Sequence, residues 1–244
     1  MEYGLQLYSV RDITKNNLED ALHQVAGIGY RFVEFAGFFD HTAKEVAAML
    51  KKYGLKTSGT HSDWRDLVRD FNGTVAYHKA IGNRNFIVPG TDLWTREKLD
   101  EFIASAKELQ PKLEAEGMTF GFHNHKKEFM KTEEGYIPYF ELTGNTDIKL
   151  ELDTYWAYAA GEDPVELMEK FKDRLHFIHI KDGDSEGNGK PLGLGTAPVA
   201  AVYRKAREFH IPMVVESETL TPSGIEEARI CFDYLKKLER QFEA

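Results

Sequence analysis

Two histidines flank one asparagine in residues 121–129, GFHNHKKEF, which follow directly from the apolar run MTFGF. Later strand-like runs also carry polar groups at their ends: LELD ends on Asp153, FIHI contains His179 and MVVE ends on Glu216. Imidazole nitrogens and carboxylate oxygens are ligands that Mn²⁺, Zn²⁺, Co²⁺ or Fe²⁺ take from proteins. The same groups also remove and return protons. These residues therefore indicate metal-assisted or acid–base chemistry, provided that the fold brings them together.

The elements that must position these residues are short β-rich runs, which alternate with helical periods along the whole chain. Eight candidate strands are residues 3–9, 31–37, 55–62, 84–90, 118–125, 148–155, 175–182 and 212–218. Thr42 and Glu45 predict a capping box at one helix start, and Asp163-Pro164 predicts another start. Eight strand–helix units predict an α/β protein, a single-domain (β/α)8 TIM barrel over residues 1–244. A doubly wound sheet is the alternative, but it usually carries a glycine fingerprint where this chain reads YSVRDITKNN.

Alternation along each strand predicts which side chains point into the barrel, because one parity faces the axis and the other faces the helices. In the sixth strand Leu150 and Leu152 take the outward parity, so Asp153 points inward with Glu151 below it. The same count predicts a polar cluster at the carboxyl ends of the strands, where TIM-barrel active sites lie. Its predicted members are Gln6, Glu34, His61, His123, His125, Asp153, His179, Lys181, Glu216 and Glu218.

This predicted cluster is costly to bury unless a metal or a substrate compensates its polar groups. Two imidazoles, one aspartate and one glutamate, one from each of four successive strands, suit a single divalent ion with mixed nitrogen and oxygen ligands. The sequence therefore predicts one divalent metal ion at the carboxyl end of the barrel.

Charge and hydropathy restrict the partners of the chain. The formal net charge is −9, whereas nucleic-acid binders usually present clustered positive charge. No stretch is apolar for long enough to cross a bilayer. The single cysteine, Cys231, cannot form an internal disulfide. We predict a cytoplasmic protein that binds a small molecule rather than nucleic acid or membrane, and the oligomeric state is left open.

Motifs at six strand ends carry a resemblance to a known superfamily. They are LQLYSVRD, VEFAG, FHNHKKEF, LDTYWAYAAGEDP, HIKD and VVESE, and LDTYW and HIKD are the more specific of them. The chain resembles the xylose isomerase-like TIM-barrel superfamily over essentially its whole length. That superfamily includes sugar phosphate isomerases/epimerases, inosose dehydratases and endonuclease IV. The resemblance implies one divalent metal held by Asp153, His179 and Glu216, together with a ligand from the fifth strand.

The fifth strand departs from the pattern of the superfamily. Its members usually have a glutamate two residues before a histidine, and the matching position here is His123. We expect His123 to replace the carboxylate as a metal ligand. The alternative is that the metal is held less fully and that His125 or Glu128 takes part.

The resemblance implies a sugar or sugar phosphate isomerase or epimerase as the leading function. Epimerases of the superfamily resemble one another in using two metal-bound glutamates, one to remove the proton next to a carbonyl and one to return it, while the metal stabilises the enediolate. Because His123 stands at one of those places, a lyase or dehydratase acting on the same enolate is the alternative. Glu216, His123, His61 and Lys181 are the predicted catalytic residues.

Further residues are predicted to bind a sugar or polyol substrate. They are Gln6, Glu34, His61, His125, Trp156, Lys181 and Glu218, with Trp156 as an apolar wall against the sugar carbons. Lys181 has a second interpretation, an ion pair with Glu218 or Asp182. Lys181 and the backbone near Gly193 and Gly195 also leave a phosphate site open.

Two other functions are less compatible with the sequence. An endonuclease IV-like nuclease would need extra metal-binding histidine and glutamate residues for a trinuclear zinc site, and usually a basic DNA face. A barrel that only binds a ligand is disfavoured because Asp153, His179 and Glu216 are all present.

Overall fold

Eight parallel strands form a closed barrel in the computed structural model, which describes residues 1–243. The strands are β1 (Gly4–Gln6), β2 (Phe32–Phe35), β3 (Lys56–His61), β4 (Asn85–Val88), β5 (Thr119–His123), β6 (Lys149–Asp153), β7 (Leu175–Ile180) and β10 (Met213–Val215). Their order around the barrel is β1-β10-β7-β6-β5-β4-β3-β2. Two short strands, β8 (Asp182–Gly183) and β9 (Gly189–Lys190), form an antiparallel hairpin after β7. The predicted single-domain (β/α)8 barrel is confirmed, and the doubly wound alternative is wrong.

Helices surround the barrel and connect its strands. They are α1 (Arg11–Thr14), α2 (Leu18–Ile28), α3 (Ala43–Tyr53), α4 (Trp64–Arg69), α5 (Phe71–Ala80), α6 (Arg96–Ala115), α7 (Pro138–Asn145), α8 (Thr154–Ala159), α9 (Pro164–Phe171), α10 (Val199–Glu208) and α11 (Gly224–Glu243). Short 3-10 turns follow β1 (Leu7–Val10) and β5 (Lys126–Phe129). Among the described residues, none of the helices combines the length and apolar character that a bilayer crossing requires.

Helix starts follow the local sequence signals. Thr42 Oγ1 accepts a hydrogen bond from the Glu45 amide, and the Glu45 carboxylate accepts one from the Thr42 amide, so the capping box of α3 is complete. Asp163 accepts hydrogen bonds from two amides of the first turn of α9, in which Pro164 is the first residue. These caps fix where each helix leaves the loops above the barrel.

The core lies between the barrel and the helices. Leu150, Leu152, Ile178 and Ile180, which take the outward parity, are fully buried there. Burying side chains of this size gives about 1.5–3 kcal/mol each relative to exposure. The outward alternation thus fixes the register in which the opposite, polar parity faces the axis.

Several strands end earlier than the sequence predicts, and the difference shapes the site. The run 3–9 ends as a strand at Gln6, because the Gln6 side chain accepts a hydrogen bond from the Tyr8 amide and starts a 3-10 turn.

Inside the barrel, a Cβ on Gly59 would lie 2.9 Å from Glu34 Oε1 and 2.6 Å from Ile87 Cδ1. Glycine at this position leaves room for the Glu34 carboxylate.

Candidate metal centre and active site

Four buried side chains meet at the carboxyl ends of adjacent strands. His123 ends β5, Asp153 ends β6, His179 lies in β7 and Glu216 directly follows β10. All four are at most 4% exposed. One ligand atom from each lies within 4.8 Å of those of the other three. Two imidazoles and two carboxylates are thus gathered around one point.

The donor atoms of this set fit a divalent ion. Asp153 Oδ2 and His123 Nδ1 are buried and have no hydrogen-bond partner. His179 Nδ1 lies 3.3 Å from Glu216 Oε2 and 4.0 Å from Asp153 Oδ2. Because a buried polar atom without a partner costs about 1–3 kcal/mol, two of them beside ionisable groups favour a bound cation. Mixed nitrogen and oxygen donors suit Mn²⁺, Fe²⁺, Co²⁺ or Zn²⁺.

Glu34 lies behind His179 and fixes the orientation of its ring. His179 Nε2 donates to Glu34 Oε2 at 2.7 Å, which leaves Nδ1 facing Glu216 and Asp153. Gln6 Nε2 donates to the same Glu34 oxygen at 2.6 Å. Gln6 and Glu34, predicted as substrate contacts, are both fully buried beneath the ring and do not line the cavity described below.

Glu151 forms a second buried contact below the four-residue set. Its Oε2 lies 2.8 Å from His61 Nε2 and 3.5 Å from His123 Nδ1. His61, His123, Glu151 and His179 also bring ligand atoms within 4.8 Å of one another. The inward parity of Glu151 was visible in the sequence, but its partner was not, because His61 reaches it from β3 across the barrel.

Electrostatics divides the carboxyl groups of the site into two kinds. Burial raises the pKa of Asp153 to about 7, in spite of the nearby Lys181 ammonium. Burial also raises the pKa of Glu151 to about 7, and the Glu34 carboxylate adds to this shift. For Glu216, burial alone would raise the pKa, but Lys181 and His179 outweigh it and hold the pKa well below its usual range. Glu216 is therefore a carboxylate at neutral pH.

The pKa values of the histidines are also shifted in opposite directions. Burial acts to lower the pKa of His61, but Glu34 and Glu151 outweigh it and raise this pKa to about 10. Burial lowers the pKa of His123 well below its usual range, and the neighbouring His179 lowers it further. A neutral imidazole is the form that binds metal, so His123 is in the form that a ligand requires. Burial acts to lower the pKa of His179, but Glu151 and Glu34 outweigh it and hold this pKa well above its usual range, so His179 would have to release a proton to bind an ion.

The contacts of Lys181 show which of its predicted ion pairs forms. Lys181 Nζ lies 2.8 Å from Glu218 Oε1 and 3.4 Å from Glu216 Oε2. It also lies 4.6 Å from the centre of the Trp156 ring. The Trp156 indole nitrogen is buried without a hydrogen-bond partner. Lys181 is thus ion-paired with Glu216 and Glu218, and it does not pair with Asp182.

A cavity of about 460 Å³ opens above the four-residue set. It is lined by Tyr8, Ala36, His61, Pro89, His125, Glu216 and Glu218. A single sugar ring fits a volume of this order. Sequence reasoning missed Tyr8, although it stands in the LQLYSVRD motif; in the structure the residue is 45% exposed.

Asn124 is a further residue that sequence reasoning missed. Its side chain donates to the Asp153 carbonyl at 3.2 Å and accepts from the Asp153 amide at 3.1 Å. It therefore fastens the end of β5 to the end of β6. His125, the next residue, has its amide bound to Glu128 Oε2 at 2.8 Å, and burial lowers the pKa of its ring to about 4.

Comparison with known proteins places the chain among related barrels. The sequence model of the family described as xylose isomerase-like TIM barrel matches residues 22–238. A sugar phosphate isomerase/epimerase from Parabacteroides distasonis superposes with a TM-score of 0.83 at 25% identity, covering 97% of this chain and 98% of that one. The IOLI protein, solved with a bound zinc atom, superposes with a TM-score of 0.74 at 14% identity over 98% of both chains.

A curated relative is the inosose dehydratase of Geobacillus kaustophilus. It is 24% identical over 193 residues, which are 67% of this chain and 61% of that protein. The chain thus spans less than two thirds of the length of this relative.

Proposed function

The chain belongs to the xylose isomerase-like TIM barrel family, and from this premise we propose that it is a divalent-metal-dependent isomerase or epimerase of a sugar or sugar phosphate. It removes the proton next to a carbonyl group of its substrate. The observation that carries the proposal is Glu216, a carboxylate that both belongs to the four-donor set and lines the cavity. His123, Asp153, His179 and Glu216 would hold the metal. When bound, a divalent ion there supplies a Lewis acid that makes the adjacent C–H more acidic.

Glu216 is the proposed base, because its low pKa keeps it ionised and it reaches the cavity. Lys181 holds the Glu216 carboxylate through its 3.4 Å contact. His61 is the proposed acid, since Glu34 and Glu151 keep it protonated and it lines the same cavity. Base and acid groups facing one cavity are the arrangement that proton abstraction and return require.

The remaining predicted residues are proposed to support this pair. We propose that His125, Glu218 and Trp156 contact substrate hydroxyl groups or ring carbons near the mouth. Gln6 and Glu34 are proposed to act through His179, by holding its ring, rather than by touching substrate.

A lyase of the dehydratase type is the second candidate function. His123 stands where the superfamily usually has a second glutamate, so the carboxylate that would return the proton in an epimerase is missing from β5. Protonated His61 could instead assist the loss of a β-hydroxyl group. The inosose dehydratases among the curated relatives favour the same alternative.

Solvent exchange in D₂O tests the proposal. A screen of keto-sugars and inososes with Mn²⁺-loaded protein should show deuterium incorporation next to the carbonyl. Retention of the carbon skeleton with its oxygens indicates an isomerase or epimerase, and loss of water indicates a lyase. Glu216→Gln should lower the exchange rate by about 100-fold or more, the usual contribution of a general base.

The control is Glu97→Gln, an exposed glutamate in the first turn of α6. Because Glu216 is also a donor in the metal set, bound metal is measured on the same samples at saturating Mn²⁺. Unchanged exchange in Glu216→Gln would remove Glu216 from the role of base.

A further inference from the structure

We infer that the cavity takes an uncharged keto-sugar or polyol ketone and not its phosphate ester. The inference rests on the proposed function, because it specifies the substrate of the same site. The sequence left two groups open as a phosphate site, the amides around Gly193 and Gly195 and the Lys181 ammonium. In the structure, carboxylates of the chain itself bind both groups.

The loop after β7 has its amides turned toward a carboxylate of the chain itself. In TIM barrels the loops after strands seven and eight frequently hold phosphate through backbone N–H groups. Here Asp182 accepts from the amides of Gly183 and Gly193 at 2.8 Å, Gly195 at 3.0 Å and Ala197 at 3.1 Å. Asp182 is 2% exposed, so its carboxylate is enclosed where an external anion would otherwise lie.

Close packing leaves no room for a second anion in that loop. A Cβ on Gly195 would come within 2.2 Å of Asp182 Oδ1 and 2.5 Å of the Gly183 amide nitrogen. Only a glycine backbone can wrap the carboxylate this closely. The glycine-rich segment PLGLGT therefore binds Asp182 and is not free to bind phosphate.

The ammonium of Lys181 is neutralised as well. It is 2% exposed and contacts both Glu218 and Glu216. A phosphate oxygen would have to displace one of these carboxylates, and then it would lie beside the displaced charge.

Two further basic side chains near the mouth are turned to backbone carbonyls. Arg11 donates to the carbonyls of Tyr8 at 2.9 Å and Glu218 at 2.7 Å. Lys126 donates to the carbonyl of Glu186 at 3.2 Å. These contacts hold the loops around the cavity.

The cavity wall itself favours a neutral ligand. Its wall carries the carboxylates of Glu216 and Glu218 and the imidazolium of His61, beside the neutral imidazole of His125 and the ring of Tyr8. The carboxylates and the neutral His125 ring accept hydrogen bonds from hydroxyl groups, and protonated His61 donates to a carbonyl or hydroxyl oxygen, whereas a phosphate dianion next to Glu218 would be repelled by that carboxylate. Like charges brought together in a binding site cost several kcal/mol.

Matched polyol pairs without a carbonyl test the inference by binding alone. Calorimetric titration of the Mn²⁺-loaded full chain compares glucitol with glucitol 6-phosphate and myo-inositol with its 1-phosphate. We expect the neutral member of at least one pair to bind about 10-fold or more tightly than its ester. Inorganic phosphate should not displace it. In Glu218→Gln the ester should gain affinity relative to the neutral polyol, because Lys181 loses one of its two carboxylates. The control is Glu226→Gln, a change at an exposed glutamate, which should keep the wild-type ratio of the two affinities.

Each outcome bears on the inference separately from the proposed function. Tighter binding of an ester by the wild-type chain, or binding of neither member of either pair, overturns the inference. Binding of a neutral polyol without deuterium exchange at any ketone leaves the inference standing and removes the proposed function. Deuterium exchange that is confined to phosphate esters overturns the inference and leaves the proposed function standing.

Discussion

Asp153 shows how one side chain is prepared for a ligand. Its Oδ1 accepts a hydrogen bond from the Trp156 amide at 2.8 Å and so caps α8, while Oδ2 is buried with no partner. Asn124 holds the Asp153 backbone on both sides of the residue. One oxygen is thus fixed by the fold, and the other faces the position of the cation that we propose. A carboxylate held in this way loses little entropy when it binds metal.

Asp153→Asn should therefore reduce metal affinity while it leaves the fold intact. The amide oxygen of asparagine can still accept from the Trp156 amide, but the side chain no longer supplies a negative charge to the ion. We expect at least a 10-fold rise in the dissociation constant for Co²⁺ or Mn²⁺, as even a lost outer partner typically costs ~10–100-fold. Metal titration followed by Co²⁺ absorbance measures the change.

The control for this variant is Asp147→Asn, an exposed aspartate just before β6. It should bind metal as the wild type does. Equal affinities of Asp153→Asn and the wild type would contradict the assignment of Asp153 as a ligand.

At the scale of elements, α5 is docked onto the barrel through a buried histidine. His78 is 3% exposed, and its Nδ1 lies 3.1 Å from Thr60 Oγ1 in β3 and 2.9 Å from Asn83 Nδ2. The Nδ2 group of Asn83 can only donate, so His78 Nδ1 accepts and the ring is neutral. Burial lowers the pKa of His78 to about 4. Protonation of this ring is thus coupled to the contact between α5 and β3.

This contact should make stability fall as pH falls. Above pH 6.5 His78 is neutral in both states, but between pH 6.5 and 4 the unfolded chain binds a proton that the folded chain refuses. From pH 7 to pH 5 we expect the wild type to lose about 2 kcal/mol more unfolding free energy than His78→Gln, at about 1.4 kcal/mol per pKa unit. Urea unfolding at both pH values measures the difference.

His23→Gln, a change at an exposed histidine of α2, serves as the control and should behave as the wild type does. Equal pH dependence in the wild type and His78→Gln would show that His78 does not carry the effect.

The elements also show what sequence alone can predict. The eight strands and their inward parity follow from local alternation, because period two and a buried outer face determine which side chains meet at the axis. The ends of the strands depend on single side chains, as at Gln6, which turns the chain by accepting from the Tyr8 amide. The four amides that donate to the Asp182 carboxylate could not be predicted, because they are spread over residues 183–197 and converge only in the fold. The pairing of Glu151 with His61 joins β3 and β6 in the same non-local way.

At the scale of the whole molecule, the barrel concentrates buried carboxyl groups at one end. Glu34, Glu151, Asp153 and Glu216 are all at most 4% exposed there. Lys181 is the lysine buried among them, and it contacts Glu216. Taking such groups out of water destabilises a fold unless they are paired. A divalent ion at the four-residue set would compensate two carboxylates at once, so metal binding and folding stability should be linked.

Metal addition should accordingly raise the melting temperature of chelator-treated protein. At free Mn²⁺ about 100-fold above the dissociation constant the folded state gains about 2.7 kcal/mol, a shift of roughly 5–10 °C for a domain of this size. The shift should be smaller at pH 6 than at pH 8, because protons compete with metal for Asp153, whose pKa is about 7. Calorimetric melts at the two pH values, with metal analysis expected to give about one ion per chain, measure this linkage. At the same Mn²⁺ concentration, Asp153→Asn should show at most about half of the shift, because a dissociation constant 10-fold higher leaves a gain of about 1.4 kcal/mol. A wild-type chain that binds no metal and melts at the same temperature with and without Mn²⁺ or Zn²⁺ would refute the metal centre.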